Sequence, residues 1–352
     1  MPKKKEVSIL DVTIRDGSYA INYQYVPHQV SEVAGALSAA GIDYMEVSHG
    51  CGLGAAENMG LPSAASDIDY VRAAKKSGKG IKVGVIAGAA PATERKDIDA
   101  VIDEVDFVRF AANCDNPGLV EANVAYAKRT APKVKVFLQM MRSTRKPKKE
   151  LVAAGRRAES MGVELVYLVD TAGHFLPEET ADIVSTMTAK LSIGVGFHGH
   201  DNLCMAVANS MAAIEAGAIS VDASLRGMGR GAGNAQLECL VSLMKRRGLA
   251  RKVDLNKLVE AAEKIIAPIM PPRRGVDAVD LTTADANVDL YPLSLYEGIA
   301  FAAGVPLSKI IEALGKDPTV TEVDPDAVAR ALKKLRLDPA KVFSKAGLSI
   351  RR

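Results

Sequence analysis

A chain of 352 residues, 48% hydrophobic and 25% charged, has the composition of an ordinary globular protein and can bury a large core. Its net charge of +3 gives no argument for a nucleic-acid or membrane partner, and no apolar run reaches the roughly 18 residues that a membrane span needs. Four widely spaced cysteines (Cys51, Cys114, Cys204 and Cys239) form no CxxC pair, and no signal peptide is visible, so free thiols in the cytoplasm are expected. Basic residues cluster at Lys3, Lys4 and Lys5 and again over 142–149. These read as a solvated tail and as a solvated loop and helix start.

In chain order, short β-rich runs fall at 7–11, 44–47, 81–86, 107–110, 134–138, 165–169, 193–197 and 220–223. Between them lie amphipathic segments at 29–40, 67–76, 97–101, 119–129, 148–161, 177–190 and 205–216. Strands that alternate with helices make a parallel sheet, and eight such units over about 225 residues are the size of a (β/α)8 TIM barrel. A doubly wound sheet is the competing architecture, but no GxGxxG follows the first strand. After residue 250 the strand signal fades and helical patterns at 255–269, 295–302, 307–314 and 326–335 take over. The expected division is a catalytic barrel over 1–250 and a helical C-terminal domain over 251–352, with an acidic, proline-containing loop at 317–326.

The run FHGHDNL, starting at Phe197, follows the seventh strand. His198 and His200, two residues apart on a strand, present their imidazoles to the same side, half of a metal site. In a barrel, function gathers at the C-terminal ends of the strands. There the first strand ends in DVTIRDGS, from Asp11, which offers Asp16 as a third ligand and Arg15 as a stabiliser of developing negative charge. Two histidines and one carboxylate leave positions open for substrate on a divalent cation. The competing reading for Arg15 and Asp16 is a salt bridge over the rim.

Four blocks, DVTIRDGS from Asp11, EVSHG from Glu46, FHGHDNL from Phe197 and VDASLRGMGRGAGNA from Val221, together resemble the 4-hydroxy-2-oxovalerate aldolases. That family sits in the metal-dependent superfamily of isopropylmalate synthase and hydroxymethylglutaryl-CoA lyase. The resemblance covers residues 5 to about 245. It implies Asp16, His198 and His200 as ligands of a divalent metal, usually Mn2+, with Mg2+, Co2+ or Zn2+ as alternatives. It implies Arg15 as the residue that stabilises a pyruvate enolate, and Thr171 where the family binds the 2-oxo acid carboxylate. His49 and His198 are expected beside the substrate. The glycine-rich run 227–233 reads equally as a tight turn or as an anion-binding loop.

The chain departs from the family at several positions. The family's acid–base histidine is Tyr19 here, a second histidine is Tyr23, and an acidic residue after His-Gly is Cys51. The family's C-terminal active-site tyrosine aligns with Asn287, with Tyr291 or Tyr296 as substitutes. A phenol ionises near pH 10, so Tyr19 is a poor base at neutral pH. Three activities follow. The first is aldol cleavage with a changed acceptor, using Tyr19, His49, His174 or a metal-bound hydroxide as base. The others are acyl condensation of the isopropylmalate synthase type and decarboxylation of a β-oxo acid. Outside this class stand a non-haem iron oxygenase and a 2-oxo acid binding or scaffold protein. A homodimer is expected for such a barrel, and the resemblance adds an acylating aldehyde dehydrogenase as a partner of the C-terminal domain.

Overall fold

The computed structural model describes residues 7–89, 91–271, 276–320 and 322–348. The lysines at 3–5 lie outside these residues. Eight strands, β1 (Ser8–Asp11), β2 (Tyr44–Glu46), β3 (Lys82–Ala87), β4 (Phe107–Asn113), β5 (Lys135–Met141), β6 (Leu165–Asp170), β7 (Gly194–Gly199) and β8 (Ser220–Ala223), pair in sequential order into a closed parallel barrel. β8 closes on β1 through Ser8–Ser220, Ile9–Val221, Leu10–Asp222 and Asp11–Ala223. Strands covered on both faces need apolar side chains on both, so β6 reads LVYLVD with every residue buried.

All eight expected strands are present. The helix Leu237–Arg246, which the sequence reading did not single out, completes the outer ring. Its buried Leu237, Leu240, Val241 and Met244 recur at helical spacing. Helices and sheet share one apolar layer, and a second cluster inside the barrel (Leu10, Phe107, Phe137, Leu165, Tyr167 and Val169) plugs its lower half. Phe107 and Phe137 stack there at 5.4 Å. The larger opening of the interior is therefore toward the C-terminal ends of the strands.

The expected helix at 255–269 forms as Leu255–Ala261 running into a wider turn, Ala262–Ile266, and its Leu258, Ala261, Ala262 and Ile266 pack into the barrel core. An independent core begins at Val288, where Tyr296, Ile299, Ile310, Leu314, Val328 and Phe343 meet. Residues 255–266 thus share the barrel's core, and the second core starts further along the chain, at Val288. No single helix among the described residues is long and apolar enough to cross a membrane.

The 142–149 stretch ends in the helix start expected of it, Lys148–Ser160, with Lys149 exposed, but its two arginines are packed rather than solvated. Arg142 is largely buried and reaches Asn113, Glu322 and Asp289. Arg145 donates to the carbonyls of Val320 and Asp317. These guanidiniums fasten the acidic C-terminal loop to the barrel rim, and Asp317 is tied in turn to Arg330 and Thr319.

Candidate metal centre and its cavity

The site is assembled from the ends of β1, β2, β7 and β8. Beyond β1 the chain turns at once: the N–H groups of Asp16 and Gly17 return to the Val12 carbonyl, and a tight helix, Asp16–Ile21, begins. This turn brings the Asp16 carboxylate toward His198, in β7, and His200, just after it. One ligand atom from each of the three lies within 4.8 Å of the others, and all three residues are buried. Each imidazole spends its Nδ1 on the protein. His198 donates to Asp222 Oδ2 at 2.8 Å and His200 to the Gly233 carbonyl at 3.2 Å. Both are thereby left with Nε2 as the free ligand atom, the arrangement in which outer partners fix the tautomer of a metal-binding histidine.

Electrostatics keep these groups ready for a cation. Burial opposes ionisation of Asp16, but Arg15, His200, His198 and the Asn234 amide together hold its carboxyl well below the usual carboxylate range. Burial drives His200 down to about 3, so its ring stays neutral. Arg15 Nη1 donates to Asp16 at 2.6 Å and its Nε to Glu46 at 2.7 Å. Arg109, fully buried in β4, grips Glu46 through Nε and Nη2 at 2.7 Å each and Asp222 through Nη1 at 2.6 Å. Its guanidinium lies 4.7 Å over the Tyr167 ring. A continuous chain of buried charge thus runs from Arg15 through Glu46, Arg109 and Asp222 to His198. With Asp16 on Arg15, two guanidiniums face three carboxylates, and the net negative charge favours a cation.

The residues present fit a divalent metal. Asn234 gives Nδ2 to Asp16 at 2.8 Å and to the Met228 carbonyl, while its Oδ1 is buried without a hydrogen-bond partner. Such an atom suits a cation as a further ligand. The 227–233 loop bends over the centre: the Arg230 N–H points to Asp16 Oδ2 at 3.3 Å and Gly233 accepts from His200. The anion its backbone serves is the protein's own carboxylate. Gly229 is required for this, since a Cβ there would stand 2.4 Å from the Asn234 amide and 2.9 Å from Asp16.

Above the ligands opens a cavity of about 720 Å3, lined by Tyr19, Thr171, His200, Asn202, Arg230 and Tyr291 among others. Thr171 Oγ1 accepts the Arg142 N–H at 2.7 Å, which frees its own hydroxyl proton to donate into the cavity. Arg230 is held by Asp289 at 2.5 Å and by the Thr171 carbonyl at 3.1 Å.

Several expected roles are changed by this geometry. Tyr19 lines the cavity, and burial pushes its phenol well above its ordinary value, so it rests protonated. His49 accepts the Cys51 N–H on Nδ1 and donates Nε2–H to the Pro62 carbonyl, so neither nitrogen is left for substrate. His198 has one nitrogen on Asp222 and one for metal, which makes it a ligand rather than a substrate contact. His174 donates to the Ala284 carbonyl and faces the C-terminal helix Ala278–Asp285. Asn287 is engaged with Thr144, and Tyr296 is buried in the second core; Tyr291 is the C-terminal tyrosine that reaches the cavity.

Sequence reading missed the partners of these ligands: Glu46, Arg109, Asp222, Asn234 and Arg230. A signal existed for two of them. Arg109 interrupts FVRFAAN and Asp222 interrupts SVDA, each a charge in the middle of a buried strand that must have a buried partner.

Comparison with known proteins agrees with this assembly. Residues 6–265 match the HMGL-like family. The chain is 37% identical over 333 residues to an oxaloacetate decarboxylase of Mycobacterium tuberculosis, which covers 94% of this chain and 98% of that one. It is 38% identical over 285 residues to a 4-hydroxy-2-oxovalerate aldolase of Carboxydothermus hydrogenoformans, covering 81% and 84%. The solved HMG-CoA lyase of Bacillus subtilis shares the fold at 19% identity, with a TM-score of 0.64 over 78% of this chain and 98% of that one.

Proposed function

This chain belongs to the HMGL-like family, and on that premise we propose that it breaks the carbon–carbon bond next to C3 of a 2-oxo acid, with loss of carbon dioxide from a β-oxo acid such as oxaloacetate as its reaction. One observation carries the choice. The cavity is lined by Thr171 and by His200 of the ligand triad, and also by Tyr19 and Tyr291, phenols that burial holds in their protonated form.

A divalent metal on Asp16, His198 and His200 would supply the Lewis acidity that draws charge onto the C2 oxygen. The protein's own groups do the rest. Thr171 donates its hydroxyl to the C1 carboxylate. Arg15, whose Nε and Nη1 are spent on Glu46 and Asp16, turns Nη2 to the C2 oxygen, where negative charge gathers. When the C3–C4 bond breaks, its electron pair becomes the enolate double bond and carbon dioxide leaves. C3 then needs a proton, and Tyr19 has one to give. Aldol cleavage needs the reverse, removal of a hydroxyl proton, and burial raises all three nearby phenols, with Tyr291 pushed up to about 12. The M. tuberculosis relative bears the name of this decarboxylation.

A second reading, aldol cleavage of a 4-hydroxy-2-oxo acid, draws on the aldolase relatives and on Cys51, a titratable group behind Tyr19. The test is to follow oxaloacetate loss and pyruvate release from 4-hydroxy-2-oxovalerate with Mn2+, against the metal alone, EDTA and Asp16→Asn. Metal-dependent oxaloacetate loss that the variant lacks is expected. Turnover of the hydroxy acid only would put the aldol reading first.

A further inference from the structure

The wall of the cavity away from the metal ligands gathers one sulfur and three phenols. Cys51 Sγ lies 3.3 Å from the Tyr19 hydroxyl, 3.2 Å from that of Tyr291 and 3.5 Å from that of Tyr23. The Tyr23 and Tyr291 hydroxyls are 2.6 Å apart. Tyr19 meets Tyr23 and Tyr291 edge to face, at centroid distances of 5.1 and 5.6 Å. The four side chains come from three separate segments: the helix after β1 with its following turn, the loop after β2, and the C-terminal stretch that precedes its helices. Gly50 makes the approach possible, since a Cβ there would stand 2.7 Å from the Ser18 hydroxyl and 2.8 Å from the Tyr23 ring.

His49 anchors Cys51 without competing for its proton. Both imidazole nitrogens are occupied by backbone, and the ring lies against Tyr23 at 4.1 Å. Tyr19 and Tyr291 face the cavity, while Cys51, behind them, keeps part of its surface open. The cluster therefore runs from the reacting carbon toward the outside. Of its four titratable groups the thiol is intrinsically the most acidic, and a thiolate can accept from all three hydroxyls at once, so any negative charge in the cluster belongs on sulfur. Burial raises the thiol, but the neighbouring His49 and the hydroxyls of Tyr19, Tyr291 and Tyr23 outweigh it and bring it down to about 7. The other charges facing the cluster are Arg230, which lowers Tyr19 and Tyr291, and Asp16, which raises Tyr19.

Resting on the enolate reading above, we propose that Cys51 is the positioning residue and proton store through which Tyr19 protonates C3. The Tyr19 O–H bond breaks and its proton joins the enolate electron pair as a new C3–H bond, while the C2 carbonyl reforms. Tyr19 takes back a proton from the Cys51 thiol, and the resulting thiolate is held by the hydroxyls of Tyr23 and Tyr291 until water reprotonates it. Run backward, the same steps exchange the C3 hydrogens of pyruvate with solvent.

The test uses the metal-loaded, full-length protein and its Cys51→Ser and Cys51→Ala variants. Deuterium exchange at pyruvate C3 is followed by proton NMR in D2O across pH, and oxaloacetate loss is measured in parallel. A hydroxyl keeps the size and most of the hydrogen bonding of the thiol, so a purely structural role would leave Cys51→Ser exchanging normally. The expected result is an exchange rate lower on the order of a hundredfold in Cys51→Ser. The pH limb near neutrality should vanish with it, while oxaloacetate cleavage falls only a few-fold. Wild-type exchange with an unchanged limb in Cys51→Ser overturns the proposal, with the enolate reading intact. So does a thiolate absorbance difference, wild type minus Cys51→Ser, that titrates as an ordinary thiol. If the wild type neither exchanges nor decarboxylates with metal, the enolate reading falls and this proposal with it.

Discussion

The two walls of the cavity are built on opposite principles. On the metal wall, Asp16, His198, His200 and Arg15 sit at strand ends with Arg109 buried beneath them in β4, and nearly every polar atom has an assigned partner. On the other wall, Tyr19, Tyr23, Cys51 and Tyr291 come from loops and from the C-terminal region, carry no permanent charge, and bond mainly to one another. The first wall is positioned by the barrel itself and fixes the charge at which substrate is received. The second can change in sequence without disturbing the ligands, and it decides where protons move. A family can in this way keep one metal centre and alter the reaction above it.

Breaking the metal wall should have the largest effect. Asp16→Asn removes the anionic ligand and should reduce metal-dependent turnover on the order of ten-thousandfold. Calorimetry should show the loss of Mn2+ binding in the same variant. Arg109→Met tests whether this wall is also structural. It leaves Glu46 and Asp222 buried without their shared cation and should cost roughly 3–5 kcal/mol in a urea titration. A smaller cost would mean that the carboxylates find other partners.

A third prediction concerns the layer between barrel and helices, apart from both walls. Asp11 is fully buried beside Thr13, and burial raises it to about 7 from an ordinary value near 3.8. The folded state therefore keeps a proton that the unfolded chain has already released. The stability this contributes is full below about pH 4 and is lost as pH rises through about 7. Asp11→Asn should flatten the pH dependence of thermal unfolding between those values by roughly 4 kcal/mol. An unchanged slope would place the titration elsewhere.

The smallest effect is expected on the phenol wall. Tyr291→Phe removes one donor to the Cys51 sulfur, and a donor favours the thiolate, so the pH limb of the exchange reaction should move upward. Turnover should fall about tenfold or less, consistent with one hydrogen bond, and Mn2+ affinity should not change. A loss of metal binding would show that the two walls are not independent.

Much of the metal wall was legible in the chain because it is local. His198 and His200 are two residues apart on one strand, and Arg15 with Asp16 follows the first strand directly, so strand periodicity and the barrel rule brought them together. Arg109, Glu46 and Asp222 were not assigned roles. They lie 63 and 113 residues apart along the chain, and only the closed sheet brings the three into contact. The unexpected role of 142–149 has the same origin, since Arg142 and Arg145 read as solvated until the C-terminal loop is seen to cover them.

By itself, then, the sequence determined the eight strands, the barrel they close and the three candidate ligands at its mouth, because side-chain alternation and strand-end position are local properties of the chain. The tertiary structure alone decided how protons are handled. Whether Tyr19 acts as base or acid, whether His49 is free, and which C-terminal tyrosine reaches the cavity all depend on burial and on partners distant in sequence. Cys51 and Tyr291 are 240 residues apart, and their contact at 3.2 Å exists only because the C-terminal region folds back over the barrel mouth. Burial and distant hydrogen bonds set the protonation of a phenol or a thiol, and residue type and spacing do not encode them.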